Sequence, residues 1–217
     1  MPTIKEHIII VNYDFPPNKG IGGRRWAKLA KAFAEQNYFV HVVKADSLSD
    51  TETSVWTDDV RHKNIQVYSL PRKYPNILLG TPQNFLEKIQ YRTSLRSVLK
   101  KYKGTPYDVS LGWNSILSEK LNEITKNYPV HWIFATGAPW EMLRACAEFK
   151  EKFETLKLWV DLRDPWLNAR NYGMTNLSEV KLKEEEEKAK KVVEQATIIS
   201  APAAEIFNPF ISKGWLI

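Results

Sequence analysis

The apolar positions of this chain switch repeatedly between short unbroken runs and a helical period. Ile8, Ile9, Ile10 and Val11 form a β-branched run, the pattern of a strand buried on both faces. Positions 12–23 then carry Pro16, Pro17, Gly20, Gly22 and Gly23, which predicts a loop. Trp26, Leu29, Ala30 and Phe33 recur at i, i+3, i+4 and i+7, one apolar helix face with Lys28, Lys31 and Glu35 pointing away. Residues 39–43 read as the next strand. Strand, glycine-rich loop, helix and strand in that order predict a parallel, right-handed crossover.

The alternation continues to the end of the chain. Residues 65–70 read as a strand. Residues 82–102 read as a helix, with Leu95, Val98, Leu99 and Tyr102 on one face. A further helix includes Leu117, Leu121 and Ile124, and 131–135 is the next strand. Pro139 suits the first turn of a helix reaching about Phe153. A strand over 156–160 ends at Asp161. Leu182, Ala189, Val193 and Ala196 stripe a charged helix whose Glu184/Lys188, Glu186/Lys190 and Glu187/Lys191 pairs stand at i, i+4. Residues 197–200 read as a last short strand, and 47–59 as a polar, acidic surface loop. The whole predicts an α/β fold: one Rossmann-like, doubly wound, mostly parallel sheet over residues 1–217, without repeat or interdomain linker.

Composition removes several classes. The hydrophobic share is 43% and the charged share 26%, ordinary for a globular chain, and 9 Gly with 12 Pro are too few for a low-complexity one. A single cysteine, Cys146, excludes an intrachain disulfide and favours a reducing compartment. No apolar run is long enough to span a bilayer, and the N-terminus lacks a signal-peptide core, so the chain reads as cytoplasmic. Net charge +6 favours anionic ligands or an anionic membrane surface, but falls short of a dedicated nucleic-acid binder.

In a doubly wound sheet, ligands bind beyond the C-terminal strand ends, and three loops there carry chemistry. In the first, Gly22 and Gly23 let backbone amides approach a ligand. The following helix offers free N–H groups, and Arg24 and Arg25 add guanidinium forks suited to phosphate. The same residues also read as a tight turn with two solvated arginines. The spacing is neither GxGxxG nor a P-loop. The second loop holds Thr136, Gly137, Ala138, Pro139 and Trp140, and reads either as part of a site or as a helix-start turn. The third holds Asp161, Arg163, Asp164 and Trp166, where a carboxylate–arginine pair is either functional or purely structural.

Other candidates are weaker. His7, His41, His62 and His131 lie far apart without metal-ligand spacing, and Cys146 sits among Leu143, Ala147 and Phe149 as a buried thiol. No CxxC, HExxH or GxSxG motif is present, so neither metal nor cofactor is expected. Arg72 and Lys73 precede Tyr74 and the Ile77-Leu78-Leu79 triplet, and Arg92, Arg96, Lys100, Lys101 and Lys103 follow. That pattern suits a peripheral contact with an anionic bilayer, or an aliphatic triplet packed beneath a solvated basic helix.

Four segments together resemble the N-terminal half of glycosyltransferase family 4, enzymes of the GT-B fold. They are Asn12-Tyr13-Asp14-Phe15-Pro16-Pro17, Gly22-Gly23-Arg24-Arg25-Trp26, Ala135-Thr136-Gly137-Ala138-Pro139 and Asp161-Leu162-Arg163-Asp164-Pro165-Trp166. The resemblance covers nearly the whole chain. It implies an acceptor-side domain of a retaining glycosyltransferase, inactive without a C-terminal donor-binding domain that this chain would lack. The implied partners are a nucleotide-sugar donor and a sugar or lipid-linked acceptor, as in cell-envelope polysaccharide synthesis. Gly22, Gly23 and Arg24 would meet the donor diphosphate. Thr136, Asp161 and Arg163 would form the catalytic neighbourhood. Asp14, Gly137, Trp140 and Asp164 would line the acceptor side. Many family members carry a histidine in the central cleft loop, where this chain has Thr136. The alternatives are a stand-alone phosphate- or nucleotide-binding module and a membrane-docking accessory protein without catalysis.

Overall fold

In the computed structural model, six strands among the described residues form one sheet. They are β1 (His7–Val11), β2 (Phe39–Ala45), β3 (Ile65–Leu70), β4 (Val130–Gly137), β5 (Lys157–Leu162) and β6 (Ile198–Ser200). Their order is β3-β2-β1-β4-β5-β6, and every neighbouring pair is parallel. The α-helices among the described residues are α1 (Arg24–Glu35), α2 (Phe85–Lys101), α3 (Asn114–Asn127), α4 (Glu141–Lys150), α5 (Glu179–Gln195) and α6 (Asn208–Ser212). The structure describes residues 6–18, 21–48, 54–170 and 173–216. Lys19 and Gly20 of the glycine-rich loop and 49–53 of the acidic loop lie outside the described residues.

The strand order decides where a ligand goes. The chain runs outward from β1 through β2 to β3, then returns to place β4 on the other side of β1. The connections leaving β1 and β4 therefore diverge, and a crevice opens beyond their C-terminal ends.

Both faces of the sheet are covered, which is why β1 needs an unbroken apolar run. Ile8 and Ile10 pack with Val40, Val42 and Phe134 beneath Trp26, Ala27 and Ala30 of α1. Ile9 and Val11 face the opposite way, into a larger core with Leu117 and Leu121 of α3, Cys146 and Phe149 of α4, and Ala189 and Val192 of α5. Cys146 is a buried thiol whose pKa burial drives up, which keeps it unreactive.

Several local expectations change. Pro139 lies before α4 rather than within it, and α4 ends at Lys150. β5 continues through Asp161 to Leu162, because Asp161 is held in register between Thr136 and Ser200. The charged helix does not form its expected i, i+4 ladder. Lys188 is buried and pairs with Glu141 at 2.9 Å and Glu185 at 3.5 Å, Lys190 reaches Glu194, Lys191 reaches Glu151, and Lys213 reaches Glu186. α5 spends its charges on neighbouring elements because it packs against α4 along a polar seam. Of the acidic loop, residues 54–60 dock on α1: Asp59 pairs with Lys28 at 2.7 Å, and the Arg24 guanidinium lies 4.4 Å over the Trp56 ring. The helix α6 answers to no sequence expectation.

Candidate functional site

The site is built around one cross-strand row. Thr136 of β4, Asp161 of β5 and Ser200 of β6 are direct register partners, so their side chains stand side by side on the α1 face. The Thr136 hydroxyl donates to Asp161 Oδ2 at 3.0 Å, and the Ser200 hydroxyl donates to Oδ1 at 3.0 Å. Trp159 Nε1 donates to Ser200 at 2.8 Å. From α1, Trp26 Nε1 donates to Oδ2 at 3.0 Å and the Arg25 guanidinium forms an ion pair with the same oxygen. These donors satisfy both oxygens of a carboxylate that burial has taken out of water. Asp161 fixes the first turn of α1 against β5, and its own oxygens are all committed.

Above that row lies an open cleft of about 530 Å³, lined by Gly22, Arg24, Arg25, Lys28, Arg163, Asp164 and Pro202. Its lining holds four cations and one carboxylate, and two of the cations also have acidic partners outside the lining: Lys28 with Asp59 and Arg25 with Asp161. Arg25 remains 44% exposed at its side chain despite the Asp161 contact, so its guanidinium still addresses the cleft. The Arg163 guanidinium lies over Gly22, where any Cβ would overlap it, and donates to the Ala138 carbonyl. The Arg163 amide donates to the Gly137 carbonyl at 2.7 Å. Arg163 thereby ties the β5 loop to the β4 loop. Gly23 is fixed differently: a Cβ there would collide with the Asp14 carbonyl oxygen.

Two helix N-termini open at this edge, and they differ. The N-terminus of α4 is closed from within: Asp108 accepts from the Trp140 and Glu141 amides, each at 2.8 Å, and also from the Ser110 amide and hydroxyl. Burial pushes the Asp108 carboxyl above its usual range, and the Ser110 and Glu141 bonds oppose that. The N-terminus of α1 has no side-chain cap and no acid in its first turn. It holds Arg24 and Arg25 instead, cations at the positive end of a helix dipole. Asp161 meets one of these charges through Arg25, and the positive end of the helix still favours a further anion at the cleft.

The sequence-predicted residues distribute as follows. Gly22, Arg24, Arg163 and Asp164 line the cleft, with Gly23 at its base. Thr136 and Asp161 are buried beneath it and engage each other rather than open space. Gly137 is buried against Leu143. Asp14 is half-buried and turns its carboxylate toward Arg72, 3.7 Å away. Trp140, expected on the acceptor-side wall, is 0% exposed and stacks on Trp166 in the core, with ring centroids 5.7 Å apart. Lys28 was read as pointing away, yet Arg24 and Lys28 are i, i+4 neighbours on one helix face. Ser200 and Pro202 come from the short β6 and its exit, where the sequence offered only strand propensity. Among the described residues, no three His, Cys, Asp or Glu side chains gather as metal ligands.

Fold and site together define a Rossmann-like α/β domain with a basic cleft beyond the C-terminal strand ends. No protein-family model matches the chain, and no curated protein matches it. Among solved structures, the crystal structure of LpCGTa in complex with UDP superimposes with a TM-score of 0.49 at 10% identity. The match covers 96% of this chain and 49% of that one, so the chain spans about half the length of that protein.

Proposed function

We propose that the cleft binds the diphosphate of a nucleotide-sugar, and that this domain is the acceptor-side half of a retaining glycosyltransferase. The observation that carries the reading is the cation-bearing N-terminus of α1, which lacks a side-chain cap and is walled by Arg24, Arg25, Lys28 and Arg163. The four motif segments named above supply the enzyme class. When a glycosidic bond to diphosphate breaks, negative charge grows on the leaving oxygens while the sugar becomes oxocarbenium-like. Fixed amides and guanidinium groups meet that charge without reorganising. In this reading Thr136 and Asp161 are positioning residues that aim Arg25. Gly22 leaves room for the Arg163 guanidinium and for close approach of the diphosphate. A second domain would supply the opposite wall and most of the nucleotide contacts.

Calorimetric titration with UDP and GDP tests this, with uridine and guanosine as controls. The diphosphates are expected to bind weakly, in the range of about 0.1–1 mM that a half-site permits. The nucleosides should not bind. Gly22→Ala and Arg163→Ala should each weaken diphosphate binding about tenfold or more, since each disturbs a charged contact. Nucleoside binding as strong as diphosphate binding would overturn the reading. Tight diphosphate binding by this chain alone would favour a stand-alone phosphate-binding module, and donor-dependent transfer by this chain alone would remove the need for a second domain.

A further inference from the structure

The basic charge of the protein is not spread over it. Between residues 71 and 103 there are eight Lys and Arg and one acid, Glu87, which gives this stretch +7. The whole chain carries +6, so everything else together is slightly acidic at −1. The stretch begins in β3's exit loop, at the C-terminal edge of the sheet, and continues through α2.

The same stretch holds the most exposed apolar side chains of any described helix. Phe85 is 76% exposed and Leu86 71%, with Ile89 also exposed. The position of these residues is fixed by how α2 packs. Tyr91, Leu95 and Val98 turn toward the small core of Tyr74, Leu78 and Leu111. Phe85, Ile89, Arg92, Arg96 and Lys100 fall near i, i+4, i+7, i+11 and i+15, on the side facing away from that core, and all are exposed. One outward stripe therefore begins with two apolar anchors and continues with three cations. The Tyr74–Leu79 segment, which the sequence also offered for this purpose, is otherwise used: Tyr74 and Leu78 are buried, and of its apolar side chains only Leu79 is exposed.

We propose that the outer face of α2 docks the protein on an anionic lipid surface, with Phe85, Leu86 and Ile89 entering the acyl boundary and Arg92, Arg96 and Lys100 meeting the headgroups. Large apolar side chains held out in water beside concentrated cations are costly on a soluble surface and favourable at a charged interface. Nucleic acid would use the cations and leave the aliphatic side chains of Leu86 and Ile89 idle. No helix among the described residues is long and apolar enough to cross a membrane, so the contact is peripheral. This inference is independent of the cleft, because it involves no nucleotide and no cleft residue.

Vesicle co-sedimentation of the 217-residue chain tests it. Phosphatidylcholine vesicles with about 30% phosphatidylglycerol should pull the protein down, while pure phosphatidylcholine should not, and about 0.5 M salt should release it. Phe85→Glu with Leu86→Glu should cut the bound fraction about tenfold at an unchanged melting temperature, since both side chains are exposed. Arg92→Gln with Arg96→Gln should also weaken binding and flatten its salt dependence. Absence of sedimentation with the anionic vesicles would overturn the proposal, as would binding indifferent to Phe85 and Leu86. So would binding of duplex or single-stranded RNA in preference to vesicles, or a dimer that the Phe85/Leu86 variant dissolves without any effect on lipid.

Discussion

His41 shows how a single side chain can carry a stability signature far from any ligand. It sits on β2, fully buried, with its Nε2 2.9 Å from His7 Nδ1 and its Nδ1 3.2 Å from the Tyr68 hydroxyl. Burial, and next the neighbouring His7, push its pKa down to about 4 from 6.5. The folded state thus keeps His41 neutral where the unfolded chain would protonate it. Between pH 6.5 and about 4 the unfolded state binds more protons, so stability falls as pH falls through that window and is level above it. The loss should be on the order of 3 kcal/mol. Urea unfolding of wild type and His41→Gln across that range measures it: the variant should be less stable near neutrality, and its pH dependence should be flatter. Parallel curves would assign the acid sensitivity to other groups.

At the scale of elements, the difference between α1 and α4 organises the site, and Asp108 makes that difference. Each of its oxygens takes two donors, Ser110's amide and hydroxyl on one and the amides of Trp140 and Glu141 on the other. Asp108→Ala would leave these buried donors without an acceptor and should cost about 3 kcal/mol or more. Asp108→Asn should rescue little of it, because either orientation of the amide turns an NH2 group onto one pair of donors. Thermal or urea melts of both variants check this, and an Asn variant with wild-type stability would contradict the capping account. Nothing in the sequence around Asp108 announced this role, since its partners are 32 and 33 residues away. The strands, by contrast, were legible because β-branched runs such as 8–11 have only one comfortable environment. Thr136 and Asp161 were correctly brought into one neighbourhood by their positions at strand ends. Their mutual hydrogen bond depends on the register of β4 against β5, which periodicity does not encode. The same limit explains Trp140, whose place beside Pro139 looked like a cleft wall until its stacking on Trp166 was visible. It also explains Lys188, which helical spacing assigned to Glu184 and tertiary packing assigned to Glu141.

Across the whole molecule, stability and exposure are divided between two regions. The central strands β1 and β4 are covered by α1 on one face and by α3, α4 and α5 on the other, and Ile9, Ile10, Val11, Ile133 and Ala135 are fully buried. α2 lies outside this arrangement. Only Val98 of its 17 residues is buried, and its start is secured locally. The Asn84 side chain accepts from the Glu87 amide at 2.9 Å, while Glu87 accepts from the Gln83 amide at 2.6 Å, one residue before the cap, a local pair of bonds that holds the first turn without tertiary help. Lys100 and Lys101 close the other end in favourable dipole positions. A helix held mainly by its caps opens independently of the core. Hydrogen exchange should therefore show α2 exchanging through local opening, well before β1 and β4, whose amides should require global unfolding. Anionic vesicles should slow exchange in α2, most strongly in its first two turns around Phe85 and Ile89, and leave β1 and β4 unchanged. Protection of α2 equal to that of the central strands in the absence of lipid would show that the helix is bound into the core more firmly than its single buried side chain allows.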